Sequence, residues 1–321
     1  MKNLIELGAI IENEIQRLSY PQSPDLLYRP IEYIMGLQGK RMRPILVLMA
    51  HQLFDENLDE AISPALSIEV FHNFTLIHDD IMDKAPLRRG NATVHEKWDD
   101  NVAILSGDTM MIQAYKLLTK VDDKKLRKVL DVFSKAATEV CKGQQLDMDF
   151  ETQNNVEISE YMKMIEYKTA VLLAASLQIG AITGGASMQE QENLYEFGRN
   201  IGIAFQLRDD LLDVFGDPDT FGKQVGGDII SNKKTYLYLK AIESASHKQK
   251  NELKKYFSIT DSSTEKVHAV KKIFNDLKIQ SIIIDLMKEY QIRAMMHLDA
   301  IVSSNKEPLI TFSEKLMDRI S

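Results

Sequence analysis

The sequence predicts an all-α protein, and three observations carry that reading. Helix breakers are scarce in a chain of 321 residues, with 15 glycines and 8 prolines against averages of roughly 7% and 5%. Apolar residues recur at spacings of three and four through most of the chain. Alternating strand patterns bounded by turn signals are missing. The length suits a single large domain over 1–321, a bundle of about a dozen antiparallel helices around a central cavity.

The helices follow in order. A first amphipathic helix ends at Pro21 and Pro24. Lys40–Leu53 is the next apolar run. Ala61–Met82 reads as one long helix, with Leu66, Val70, Phe71, Phe74 and Ile77 on its apolar positions, and Pro86 stops it. Val102–Leu118, Lys124–Cys141, Ser159–Thr183 and Gln189–Phe215 come next. Lys233–Ala245, Lys248–Phe257, Ser263–Ser303 and Pro308–Ile320 complete the set, the run from Ser263 being interrupted near Leu277-Lys278. The weakest segments are Phe150–Glu157 and Asp217–Asn232.

The composition is that of a soluble protein, 44% hydrophobic and 27% charged. A net charge of -8 argues against nucleic-acid binding through the whole surface. One cysteine, Cys141, excludes an intrachain disulfide and a cysteine-based metal cluster. The N-terminal residues lack the apolar run of a signal peptide, and no membrane span is expected. A cytoplasmic location follows as an expectation.

Two aspartate clusters stand out: Asp79-Asp80-Ile81-Met82-Asp83 and Asp209-Asp210-Leu211-Leu212-Asp213. Both read DDxxD near the C-terminal end of an apolar helix. Residues four apart share a helix face, like charges there repel, and a helix C-terminus disfavours anions. A cation would offset both costs. Oxygen ligands favour hard ions, and Mg²⁺ is usually held by one or two carboxylates plus substrate phosphates.

Phosphate oxygens call for Arg and Lys donors. Gly39-Lys40-Arg41-Met42-Arg43 places three cations before an apolar helix. Arg88-Arg89 follows the first aspartate cluster, Lys168-Thr169 lies within an apolar helix, and Lys223, Lys233 and Lys234 follow the second cluster. A di-iron bundle needs paired Glu-x-x-His motifs. Two exist, Glu69 to His72 and Glu265 to His268, but the second lies in a polar stretch that reads as solvated, and further Glu ligands are not evident.

The set GKRMRP, FHNFTLIHDDIMDKAPLRRG, Lys168-Thr169, FQLRDDLLDVFGD and GKQVGGDIISNKKT resembles the trans-isoprenyl diphosphate synthases, or polyprenyl synthetases. The resemblance covers Gly39 to about Thr235. It implies condensation of isopentenyl diphosphate with an allylic diphosphate, three Mg²⁺ ions and a homodimer. Lys40, Arg43, His72 and Arg89 would bind isopentenyl diphosphate. Arg88, Lys168, Thr169, Gln206, Lys223 and Lys233 would bind the allylic diphosphate. Asp79, Asp83 and Asp209 would be the main Mg²⁺ ligands, supported by Asp80 and Asp213, and Asp210 completes the acidic set. The double glycine usual before the first lysine is Gln38-Gly39 here, a common proline is Leu237, and the basic tail is reduced to Arg319.

Product length would be set along the helix upstream of Asp79. At about 1.5 Å per residue, Phe74 lies ~7 Å and Phe71 ~12 Å from that aspartate. By family analogy the bulky Phe74 argues against C40-type products, and the lack of a second adjacent aromatic (Thr75 follows) or of an insertion in the first motif favours C20 over C15. A terpene cyclase and a non-catalytic partner subunit are the competing readings. The first usually has a different second metal motif, and the second usually lacks acidic ligands.

Overall fold

The structure is a computed structural model that describes residues 2–153, 155–216, 226–259, 263–303 and 305–317. The chain divides into two compact units, one of Met1–Lys135, Ala175–Tyr195 and Ile301–Pro308, the other of Ala136–Ala174, Glu196–Ala300 and Leu309–Ser321.

In the first unit, α1 (Leu4–Gln16) starts from a capping box in which Asn3 accepts from Glu6 N and Glu6 accepts from Asn3 N, satisfying otherwise orphaned donors. α2 (Asp25–Gly36) is absent from the sequence expectation, because the prolines around it read as breakers. Pro30 lies inside it, yet Pro30, Ile31, Ile34 and Met35 are buried, and that packing outweighs one missing backbone bond. α3 (Met42–His51) and α4 (Asp59–Met82) follow. α4 is buried almost all round, as an apolar helix without a clear stripe must be. Ser63 and Ser67 donate from α4 to the carbonyls of Leu117 and Ala114, both on α6 (Asp100–Leu118).

Between α4 and α6 the chain forms two short antiparallel strands, β1 (Leu87–Arg88) and β2 (Asn91–Ala92), and α5 (Val94–Lys97). Arg89 (φ 52°) and Gly90 (φ 76°) both turn through the left-handed region, the geometry that a two-residue hairpin demands. So short a ladder gives no alternating pattern, which is why the sequence shows no strand.

α7 (Asp123–Thr152) runs eleven residues beyond the expected end at Cys141. The expected helix 159–183 is α8 (Ile158–Ile165), a π-helical turn Glu166–Ala170 and α9 (Val171–Thr183). Ile158–Thr183 is long and apolar enough to cross a bilayer, a run the sequence expectation passed over, but its most apolar window is 78% buried within the protein. α10 (Met188–Phe215) matches its expected bounds closely.

The second unit continues with α11 (Gly227–Ile230), α12 (Tyr236–Ser244), α13 (His247–Tyr256), α14 (Thr264–Asp276), α15 (Ile279–Asp299) and α16 (Glu307–Met317). The expected break at Leu277-Lys278 is present, with Lys278 left-handed at φ 56°. The core of this unit gathers Leu207, Leu211, Leu237, Leu253, Phe274 and Ile283, with others from the same helices.

Candidate active site

The last turn of α4 splits its three aspartates. Asp79 is half-buried and Asp83 exposed, whereas Asp80 is 1% exposed. Arg88 on β1 grips Asp80, with Nε 2.9 and 2.8 Å from its two oxygens and a terminal nitrogen 2.6 Å from Oδ1. A buried carboxylate needs such a partner. Asp80 and Arg88 are thus each other's partners.

A basic pocket lies on the same unit. Gln38 to Arg43, Glu69, His72 and Arg89 line a cavity of about 520 Å³. The four residues expected to meet isopentenyl diphosphate, Lys40, Arg43, His72 and Arg89, are brought together in it. Two further residues shape it: Arg41, which the sequence offered only as one of three cations before an apolar helix, and Glu69. Arg41 is 5% exposed and left-handed at φ 44°. It bonds Glu69 at 2.7 Å, Glu12 at 3.0 Å and the carbonyls of Met35 and Leu37 at 2.7 and 2.9 Å. Glu69 also accepts from Asn73 at 3.0 Å. The acid of the Glu-x-x-His pattern is therefore committed to an arginine. Only the clash between a buried Glu69 and a helix otherwise apolar at that position could have signalled this.

Electrostatics in the pocket follow from crowding. Burial lowers Arg43 to about 10, with Glu69 opposing and Arg89 reinforcing. Burial, then Arg43 and Arg89, hold His72 well below its ordinary value. His72 is neutral at pH 7, and its Nε2 lies 3.1 Å from Arg43. A guanidinium only donates, so Nε2 accepts and the ring proton sits on Nδ1.

The second cluster repeats the first arrangement. Asp209 and Asp213 are half-buried, and Asp210 is 4% exposed. Asp210 accepts from the Tyr161 hydroxyl and, at 3.0 Å, from Gln206. Burial and nearby Asp228 push its carboxyl well above the usual range. Gln206 in turn accepts from Thr169 at 2.9 Å. Asp209 pairs with Arg208 at 3.0 Å, and Asp213 accepts from Asp228 N at 2.9 Å.

A cavity of about 550 Å³ in this unit collects Lys168, Thr169, Gln206, Asp210 and Lys233, all anticipated, together with Asp147 and Tyr161, which were not. Lys168 sits on the π-helical turn and bonds Asp147 at 2.5 Å. Such turns recur at functional sites. Asp147 was missed because the expected helix stopped at Cys141. Lys223 and Arg319 lie outside the described residues.

Along α4 the aromatic rings continue in a row. His78 to Phe74 is 4.7 Å between centroids, Phe74 to Phe71 5.6 Å, Phe71 to Phe133 5.2 Å and Phe133 to Tyr115 5.1 Å. Phe71 and Phe133 are fully buried. Thr75 turns its hydroxyl onto the His72 carbonyl at 2.8 Å. Phe133 and Tyr115 come from α7 and α6, so no spacing in the sequence could join them to this row.

Among the described residues no three His, Cys, Asp or Glu side chains gather to hold an ion unaided. The accessible carboxylates suit Mg²⁺ in the manner that leaves part of its shell to water and phosphate oxygens.

Residues 24–277 match the family described as polyprenyl synthetase. A geranylgeranyl diphosphate synthase of Methanosarcina mazei is 44% identical over 235 residues, 73% of this chain and 72% of that protein. A short chain isoprenyl diphosphate synthase of Methanocaldococcus jannaschii is 37% identical over 287 residues, 87% and 86% of the two chains. A crystal structure of a geranylgeranyl pyrophosphate synthase aligns with TM-score 0.95 at 45% identity, covering 99% of each chain. The chain belongs to the polyprenyl synthetase family, with its all-α fold.

Proposed function

We propose that this protein is a short-chain trans-prenyl diphosphate synthase, a prenyltransferase that joins isopentenyl diphosphate to an allylic diphosphate, with geranylgeranyl diphosphate, C20, as product. The observation that carries the reading is on α4: a basic pocket built around His72 lies two helical turns, ~10 Å, before the accessible pair Asp79 and Asp83. The names of the relatives, geranylgeranyl diphosphate synthase among them, support it.

Asp79, Asp83, Asp209 and Asp213 would hold Mg²⁺, as three ions by family resemblance. Bound there, Mg²⁺ would offset charge on the diphosphate leaving group. Lys168, Thr169, Gln206 and Lys233 bind the allylic diphosphate and receive the negative charge that develops as its C–O bond ionises. Lys40, Arg43 and Arg89 bind the second diphosphate, while neutral His72 orients it from Nδ1–H. Holding the isopentenyl double bond against the nascent cation removes the entropic cost of encounter. The departing diphosphate takes the proton. Asp80 and Asp210 act by position, anchoring Arg88 and the Gln206–Thr169 pair. Phe74, backed by Phe71, Phe133 and Tyr115, stops the growing chain. The chain works as one domain over 1–321, as a homodimer in the cytoplasm.

Purified protein with Mg²⁺, labelled isopentenyl diphosphate and dimethylallyl, geranyl or farnesyl diphosphate tests this. A C20 product is expected. A C15 product would keep the reaction and overturn the length. No elongation by folded protein with any starter would sink the synthase reading in favour of a non-catalytic partner subunit.

A further inference from the structure

Lys266 is among the largest fully buried side chains, at 1% exposure. The polar stretch around it reads as solvated in the sequence, and for Lys266 that reading is wrong. The position is unfavourable twice over. A buried ammonium loses its hydration, and Lys266 stands in the first turn of α14, where the helix dipole disfavours a cation.

Its amine joins two pieces of chain, the turn at Ile230–Asn232 and the carbonyl of Ile259. Nζ donates to Asn232 Oδ1 at 2.7 Å, to the Ile259 carbonyl at 3.1 Å and to the Ile230 carbonyl at 3.4 Å. Asn232 is left-handed at φ 59° and is followed at once by Lys233 and Lys234, which line the 550 Å³ cavity. Val267 secures the start of the same segment. A Cβ on Gly226, itself at φ 87°, would lie 2.7 Å from Val267 Cγ1. From the other side, Asp213 accepts from Gly226 N through its carbonyl at 2.6 Å and from Asp228 N through its carboxylate. Segment 226–235 is thus clasped between the second aspartate cluster and α14.

We infer that Lys266 is a positioning residue for the allylic diphosphate: it holds the Asn232 turn and thereby sets Lys233 and Lys234 at the cavity. This rests on the assignment of that cavity to the allylic diphosphate. It also gives the C-terminal third a part in substrate binding without contact with substrate.

The test is Lys266→Met in the full-length protein, which keeps the apolar stem and removes the amine. Removing the amine also takes a donor from Asn232 and from two carbonyls, and a buried acceptor left unsatisfied is destabilising. Tm is therefore expected to fall, and the split between the two KM values is the reading that distinguishes positioning from stability. A KM for geranyl diphosphate raised roughly tenfold or more, with the KM for isopentenyl diphosphate unchanged, is the expected result. An unchanged KM for geranyl diphosphate, or equal rises for both substrates together with a lower Tm, would overturn the inference. Should Lys266→Met not fold, Asn232→Gly keeps the left-handed backbone and removes the acceptor for Lys266 together with the Nδ2 donor to the Ile259 carbonyl, 3.2 Å away. It should raise the same KM alone, by a few-fold, and no change would count against Lys266. Lys233→Ala separates the two layers. If it raises the KM for geranyl diphosphate and Lys266→Met does not, the inference fails alone. If neither does, the cavity assignment fails with it.

Discussion

Replacing Glu69 by Gln tests the arrangement under the basic pocket. The Glu69 and Arg41 side chains are 2% and 3% exposed and 2.7 Å apart. Burial would lower the Arg41 guanidinium, yet Glu69 and Glu12 together outweigh it and hold Arg41 above its ordinary value. Unit charges ~4 Å apart attract by about 4 kcal/mol at an effective dielectric of 20. Gln keeps an acceptor for Arg41 and loses the charge. The carboxylate's own desolvation cost disappears with it, so part of the Coulomb loss is returned. Arg41 retains Glu12, but that side chain is 43% exposed and is screened by water. A net loss of about 3 kcal/mol follows, the lower end for breaking a buried pair. At about 2–3 °C per kcal/mol for a chain of this size, Tm falls by about 6–9 °C. Arg41 caps α3 between Lys40 and Arg43, so the KM for isopentenyl diphosphate should rise on the order of tenfold while that for the allylic substrate stays put. Thermal melting and steady-state kinetics with each substrate varied read both effects. A variant that melts within about 2 °C of the parent with both KM values unchanged would refute the reasoning.

The remaining predictions concern length, pH and packing. Phe74→Ala should lengthen the product, read by chain-length chromatography. Elongation should stay limited, because Phe71 and Phe133 remain packed behind it, and Phe74→Ala with Phe71→Ala should go further. His72 is held well below 6.5 when folded, so the unfolded chain binds a proton first as pH falls. Stability is then complete above about pH 6.5 and drops by up to about 1.4 kcal/mol per pH unit below it, until the folded pKa is reached. His72→Gln should flatten that slope in urea melts from pH 7.5 to 5. A Cβ at Gly143 would lie 2.3 Å from Lys168 N, a backbone atom that cannot swing aside. Gly143→Ala should therefore cost roughly 2–3 kcal/mol by overpacking and lower kcat through Lys168. Wild-type turnover in that variant would disprove the close approach.

The sequence alone determined that the protein is helical, where its long helices lie and which residue types could handle diphosphates, because these follow from local rules. Helical spacing places α4 and α10 within a residue or two of their observed bounds, and Asp79 with Asp83 must share a face wherever the helix packs. The Leu277-Lys278 break was legible from the interrupted pattern. Other features depend on residues far apart in the chain. α2 survives its proline because Ile31, Ile34 and Met35 are buried; the 87–92 hairpin is local but too short to leave an alternating pattern. Within each DDxxD, helical spacing sets the middle aspartate apart from the outer two, but not what that middle aspartate meets. The fold buries Asp80 against Arg88 and Asp210 against Tyr161, leaving their neighbours accessible. Glu69 was half of a Glu-x-x-His pattern that the sequence set aside, and Lys266 read as a solvated cation; tertiary packing makes one the counter-charge of Arg41 and the other the clasp of Asn232. Burial decides these cases, since a charge removed from water must find its partner wherever the fold brings one.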